Sequence, residues 1–328
     1  MQKRQTAVRP VKEHDMKRIL GTAVLAASLL VPAFAQADNF PSRPVTIIAG
    51  FNAGGTSDIV LRAMAPELEK ELGQPILIVN KGGSGGALSI GDMLTKKDDG
   101  YTVGLVLSCA FTLDVQLKKA RYKMDDFTFL GSAGGPQEGY FTLPDKPWKD
   151  FNSMIEYAKK EGKELTFASP GIIDTMLMKV VTAKTGVKFR KVPTKSGGET
   201  ASQLLGGHVD IGYGGGIQTP YVKAGKMVNL AATTTKPFIK DPSCPTLLSL
   251  GYEGCGFDNN YVFYVKKSVD SAICKKLADA FAKVANSEKV QDVIANKANL
   301  SPVILKAEEV MPLLKAQFED YKALLTYK

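Results

Sequence analysis

Short apolar runs that end in glycine or serine and lead into helix-patterned stretches recur from residue 44 onward, and this alternation points to an α/β architecture with a mainly parallel sheet. The first run, residues 44–50 (PVTIIAG), precedes FNAGGTSD. Ile59, Val60, Ala63, Met64, Leu68 and Leu72 then recur at helical spacing. Gly73 suits the helix end, and Pro66 inside the pattern predicts a kink or a restarted helix. Residues 75–80 (PILIVN) lead through KGGSGG into a second helical stretch, ALSIGDMLTKK, and residues 101–108 (YTVGLVLS) read as a third strand before a polar segment. The second half repeats the theme: ELTFASPG, a helix stopped by Gly186, the strand FRKVPT, KSGG before the helix ETASQLLGG, and the strand VDIGYGG. From Ser268 on the pattern is helical. A domain junction is expected within residues 139–144, where glycine and proline cluster.

A length of 328 residues suggests two domains, at about 150 residues each. With 44% hydrophobic and 23% charged residues, the composition excludes a disordered, collagen-like or polytopic membrane chain. The net charge of +9 invites a nucleic-acid reading, but much of it sits at the N-terminus. There Lys17 and Arg18 precede an apolar stretch of 13 residues, Ile19 to Val31, and Ala35-Gln36-Ala37 supplies a small-x-small cleavage pattern. Residues 1–37 are therefore expected to be a secretory signal peptide, with Met16 as the true start and the mature protein outside the cytoplasm. Cleavage after Ala37 removes six basic and two acidic residues and takes the net charge from +9 to +5. The remaining lysines are dispersed, without the basic-aromatic interleaving of nucleic-acid grooves, so no nucleic-acid partner is expected.

Export allows disulfides. None of Cys109, Cys244, Cys255 and Cys274 forms a CxxC. Cys244 and Cys255 bracket a Pro/Gly-rich loop, and two alternatives stand: a bridge worth about 3 kcal/mol in the loop-entropy treatment, or separate buried thiols.

Four turns lie between a strand end and a helix start: Ala53-Gly54-Gly55-Thr56-Ser57-Asp58, Gly82-Gly83-Ser84-Gly85-Gly86, Ser169-Pro170-Gly171 and Ser196-Gly197-Gly198. Ligands of open α/β sheets bind beyond the carboxyl ends of strands, where unpaired helix N–H groups favour an anion. Two turns fall in each half of the chain, as a cleft between two lobes requires; Ser108, ending the third strand, joins the candidate set. Any one turn, taken singly, reads more simply as a tight turn or helix cap. Asp58 in particular suits a cap, and Trp148 suits packing on a lobe.

Three sharper motifs compete. Gly50 to Ser57 has P-loop glycine spacing, but Thr56 stands where the lysine is required, which argues against an ATPase. Gly82 to Gly86 matches G-x-S-x-G, and a secreted serine hydrolase built on Ser84 is the alternative enzyme reading. Its base would have to be His208, the one histidine after residue 37. A lone histidine and the carboxylate spacing give no metal site, and no cofactor is expected.

PSRPVTIIAGFNAGGTSDIVLRAMAPELEKELGQPILIVNKGGSGG resembles the opening of the tripartite tricarboxylate transporter substrate-binding proteins, the Bug family, and the likeness continues through LLGGHVDIG, YVKAGKMVNLAATT and DPSCPTLLSLGYEG. The resemblance implies a type II periplasmic-binding-protein fold, two α/β lobes closing on a small organic carboxylate that is passed to membrane permease subunits, without catalysis. Lobe 1 is expected at 38–140 plus 261–328 and lobe 2 at 141–260, in a monomer. A role as a ligand sensor for a signalling partner is the further alternative. The family's first loop corresponds to Phe51, Asn52, Ala53, Gly54, Gly55, Thr56, Ser57 and Asp58. The second runs from Lys81 through Ser84, Gly85 and Gly86. Ser169, Pro170, Gly171, Ser196 and Gly197 come from the opposite lobe. Three departures stand out. Asn52 replaces the family's proline, Ile172-Ile173-Asp174-Thr175 replaces a polar, His-containing run, and Tyr213-Gly214-Gly215 stands where Phe-Asp-Asn is common. Loss of the acid at Gly214 disfavours an ammonium-bearing ligand, and the isoleucines favour a partly apolar, even aromatic, mono- or dicarboxylate.

Overall fold

The computed structural model describes residues 39–117 and 120–327. The signal peptide and Met16 lie outside them. Pro41–Lys328 form one compact unit.

Two five-stranded sheets organise it. Sheet 1 contains β1 (Val45–Ala49), β2 (Ile76–Asn80), β3 (Thr102–Leu107), β4 (Phe127–Ser132) and, much later in the chain, β11 (Tyr261–Lys266), in the order β2-β1-β3-β11-β4. Between them come the two-residue β5 (Gly135–Pro136) and sheet 2, with β6 (Gly139–Thr142), β7 (Leu165–Ser169), β8 (Phe189–Pro193), β9 (Ile211–Gly214) and β10 (Val228–Ala232), ordered β10-β6-β9-β7-β8. β5 pairs with a short β12 (Leu300–Ser301). In sheet 1, β2, β1 and β3 are mutually parallel and β11 runs against both β3 and β4. In sheet 2, β8, β7 and β9 are parallel and β6 runs against both β9 and β10. The two sheets thus share one plan. In each, the single reversed strand is the one that enters from the other sheet, since β6 follows β4 and β11 follows β10.

Helices α1 (Thr56–Leu72) and α2 (Ala87–Met93) follow β1 and β2, α3 (Phe151–Lys160) follows the reversed β6, α4 (Ile173–Thr185) and α5 (Gly197–Leu205) follow β7 and β8, and α6 (Ser271–Ala285) and α7 (Ala307–Leu324) close the chain. α1 buries Val60, Met64, Leu68 and Leu72 of the expected stripe and adds Leu61, while Ile59 is exposed and Ala63 half-buried, and it ends on Gly73 in the left-handed region at φ 72°. The break expected at Pro66 is absent: one helix spans Thr56–Leu72 with Pro66 inside it. Pro66 is exposed, so water can satisfy the carbonyl its missing N–H leaves free.

Each sheet has its own apolar cluster. Ile48, Val106, Phe111, Phe127 and Tyr264 build one. Trp148, Phe151, Phe167, Leu177 and Ile211 build the other, where Trp148 packs on Tyr157. α7 packs on β4 yet lends Tyr321 and Leu324 to the second cluster, and Tyr321 stacks on Phe257 at 4.5 Å. Of the two alternatives for Cys244 and Cys255, the structure has separate thiols. They sit in different clusters, and burial pushes Cys244 up to about 12 and Cys255 up to about 11.

Candidate functional site

All the candidate turns emerge at the carboxyl ends of parallel strands. β1 leads into the turn before α1, β2 into the turn before α2, and β3 into Ser108; β7 and β8 do the same before α4 and α5. β6 and β11, being reversed, begin at that same edge. The register puts Gly139 opposite Gly214 and Tyr261 opposite Leu107. The segments that precede them, Gln137-Glu138 and Asp258-Asn259-Asn260, are therefore delivered among the turns.

In the first turn Ala53, Gly54 and Gly55 are exposed, with Gly54 at φ 81°. Asp58 does not face outward: its Oδ2 accepts from the Gly54 N–H at 2.9 Å and from Arg62 Nε at 2.9 Å. The Arg62 bond, opposed by burial and aided by Gly54 and Asn80, holds the carboxyl below its ordinary value. Asp58 thereby shapes the loop as a third-position cap acid. Ser57 is buried as well. Thr56 shares a 2.9 Å hydroxyl contact with Tyr261, whose ring meets Phe51 edge-on at 5.4 Å. Asn52 reaches the second turn, because a Cβ on Gly82 would lie 2.3 Å from its Oδ1. The family's proline position is here used to lock two turns together through a glycine. Beyond it the chain needs left-handed backbone at Gly83, Gly85 and Gly86, at φ 137°, 69° and 99°. Lys81 is drawn away to Asp92 at 3.0 Å.

Ser108 is fully buried; its hydroxyl donates to Asn259 Oδ1 at 3.3 Å and accepts from the Asn260 N–H at 3.2 Å. In sheet 2, Ser169 is also fully buried and its Oγ accepts from the Gly171 N–H at 3.0 Å. Pro170 and Ile172 are exposed. Of the isoleucine pair only Ile172 is available at the surface, because Ile173 belongs to the core cluster. Ser196 caps α5, its Oγ accepting from the Glu199 N–H at 3.2 Å, and Gly197 packs against Ile217. Several hydroxyls in the candidate set therefore hold turns in shape, and in the first turn the Gly54 and Gly55 N–H groups do the same through Asp58 and the Asn52 carbonyl, so the first N–H groups of α1 are the donors that face a ligand there.

Lys191, Glu138 and Asn259 escaped the sequence reading, and Asp174 entered it only as part of the run that departs from the family. Asp174 is fully buried at the start of α4, and Lys191 from β8 pairs with it at 3.0 Å. Lys191 also donates to Thr175 Oγ1 and to the Gly171 carbonyl, so one ammonium pins the turn after β7. Glu138 accepts from Asn259 Nδ2 at 2.7 Å. Burial, reinforced by the Asp174 and Asp258 charges and opposed by the Asn259 bond, pushes Glu138 up to about 7. One signal did exist: Glu138 is the only charged residue in the stretch 127–144. At Gly214 a Cβ would meet the Ile217 side chain at 2.7 Å, so a larger residue there would require Ile217 to move.

His208 lies in the turn after α5 with its ring over Gly206, where its N–H donates to the Gln203 carbonyl. Among the described residues no three metal-capable side chains cluster, and no helix is long and apolar enough to cross a membrane. A separate cavity of about 620 Å³ includes Gln137, Gln218, Asn229 and Asn299 but none of the turns. Gln137 Nε2 donates there to the Asn299 carbonyl and Asn229 Nδ2 to Asp241.

Two sheets of one strand order, with strand-to-helix turns gathered at their carboxyl edges, make a two-lobe α/β fold shared with solved structures. The chain belongs to the tripartite tricarboxylate transporter receptor family, whose description, "Tripartite tricarboxylate transporter family receptor", matches residues 60–327. That is a family of periplasmic transport receptors rather than enzymes, and the hydrolase reading of Ser84 finds no support in it. A Cupriavidus necator protein described as "UPF0065 protein in gbd 5'region" is 32% identical over 93% of this chain and 94% of its own length. Among solved structures, an R. palustris protein with adipate is similar at a TM-score of 0.74 and 20% identity, over 88% of this chain and 98% of that one. A Rhodopseudomonas palustris protein with bound malate is similar at a TM-score of 0.70 and 22% identity, over 86% and 100%.

Proposed function

We propose that this receptor captures a small, partly apolar organic carboxylate in the cleft between its sheets and delivers it, as a monomer, to the membrane subunits of a tripartite tricarboxylate-type transporter. The observation that carries the reading is the N-terminus of a 17-residue helix, from Thr56 onward, which opens at the exposed Ala53-Gly54-Gly55 turn with the Thr56 hydroxyl beside it. Such a terminus presents unpaired N–H groups and a partial positive charge to an anion. The phenyl edge of Phe51 and the exposed Ile172 add apolar surface on either side, which suits a carbon chain or ring behind the carboxylate. Malate and adipate in two proteins of the same fold support the ligand class. The lobes are proposed as 38–140 plus 261–328 and 141–260, with β6 and β11 as the crossing strands. Export by the residues 1–37 signal completes the proposal, and N-terminal sequencing of periplasmic protein should then begin at Asp38.

A thermal-shift panel of mono-, di- and tricarboxylates tests the binding reading. A carboxylate at 100 times its Kd stabilises the folded state by about 2.7 kcal/mol. A panel that leaves the transition unmoved would refute it.

A further inference from the structure

Glu138 is the acid that a cleft built from turns and helix ends leaves out. It stands one residue before β6, where its Cγ would lie 3.4 Å from a Cβ on Gly215, one residue past β9. Its partner Asn259 holds the matching place in the other sheet, two residues before β11, and bonds to Ser108 at the end of β3. The carboxyl thus lies where the carboxyl edges of both sheets meet. Glu138 is half-buried, so part of its surface stays accessible. Tyr261 from sheet 1, Tyr140 and Tyr213 from sheet 2 and Tyr321 from α7 lie within electrostatic reach of it. The charges acting on it are both negative: Asp174, itself held by Lys191, and Asp258.

We propose, resting on the carboxylate reading of the cleft, that Glu138 is a specificity-determining residue that admits a ligand carboxylate only as the neutral acid, so that each anion captured brings one proton onto Glu138. Two carboxylates sharing a confined site cannot both stay ionised without strong repulsion. Asn259 occupies Oε2, which leaves Oε1 to carry the proton and donate it as a hydrogen bond. The proton comes from solvent, no bond to carbon changes, and release of the ligand returns it. Burial and the two aspartates already raise Glu138 to about 7, so the uptake falls in the neutral range.

Isothermal calorimetry with adipate, malate and benzoate at pH 6, 7 and 8, in buffers of differing ionisation enthalpy, tests this. For a ligand that binds only the neutral acid, Kd rises about tenfold between pH 6 and pH 8, with about 0.9 proton absorbed per ligand at pH 8. In Glu138→Gln the Kd ratio between those pH values should fall below about twofold. A flat Kd with no proton uptake in the unaltered protein overturns the proposal and leaves the carboxylate reading standing. So does a variant that keeps the tenfold slope, or one that loses carboxylate binding at every pH, since the amide of Glu138→Gln still offers an uncharged hydrogen-bond donor where the neutral acid would. Absence of binding by all three probes at pH 6, where Glu138 is neutral, overturns the cleft reading and this proposal together.

Discussion

Lys191→Met should destabilise the protein more than any single change on its exposed surface, and the structure sets the size of the effect. Asp174 is fully buried, its Oδ2 lies 3.0 Å from the Lys191 ammonium, and its Oδ1 has no hydrogen-bond partner among the described residues. Removing one partner of a buried ion pair strands the other charge and costs about 3–5 kcal/mol. The Lys191 side chain keeps 21% of its surface, so water partly takes the ammonium's place and the lower end, about 3 kcal/mol, applies. At about 2 °C per kcal/mol for a chain of this size, the thermal midpoint should drop by about 6 °C. The same ammonium anchors the Gly171 carbonyl, so affinity for carboxylate probes should fall in parallel. Circular dichroism melts of Lys191→Met, Asp174→Asn and the double variant check the reasoning. Adding Asp174→Asn to Lys191→Met should restore at least half of the loss, because the stranded charge is gone. A single-variant cost below about 1 kcal/mol, or a double variant no better than the single, would refute the account.

Asp210 gives a pH prediction. Burial alone would raise its carboxyl, but the Thr166 N–H at 3.0 Å with Lys146 and Lys163 more than offsets this and its pKa is lowered. The unfolded chain then binds the extra proton first, so this stabilisation is complete above the ordinary carboxylate range and is lost as pH falls through the lower folded value. Asp210→Asn should flatten that acid limb in urea titrations between pH 5 and 2 (approximately the window of a lowered aspartate), and an unchanged limb would count against it. Gly82→Ala should push Asn52 off the second turn and raise Kd for carboxylate probes about tenfold, with little change in melting temperature; equal Kd values would show that the two turns do not act together. Cys244 and Cys255, buried and raised to about 12 and about 11, should resist iodoacetamide at pH 8 (roughly three units below the lower value) until the protein is unfolded, and mass spectrometry of the native protein showing rapid labelling would contradict their burial.

The α/β class and the first turn could be read directly from the chain, because both depend on neighbours a few residues apart. The stripe from Val60 to Leu72 repeats at 3.6 residues, and the glycines around Gly54 and Gly85 mark backbone that other residues resist. Pro66 misled for the same local reason: the rule that a proline breaks a helix says nothing of which face it occupies, and this one faces water. Family resemblance supplied the two lobes, which periodicity could not, since β11 joins sheet 1 from more than 120 residues beyond β4.

The alternation of strand and helix, the helical faces and the glycine turns are properties of local sequence; the order of strands in the sheets is not, since β11 enters between β3 and β4 from far along the chain. Nor is the cleft's side-chain chemistry. Thr56 meets Tyr261, Ser108 meets Asn259, and Asn259 meets Glu138 across separations of 205, 151 and 121 residues. Each of these depends on the reversed strands β6 and β11 starting at the same edge where the parallel strands end. A glutamate in a glycine-rich segment carries no sign in sequence of whether it will face water or another carboxylate. Its charge state follows from the burial and the aspartates that the two crossings bring to it, and so it belongs to the assembled fold.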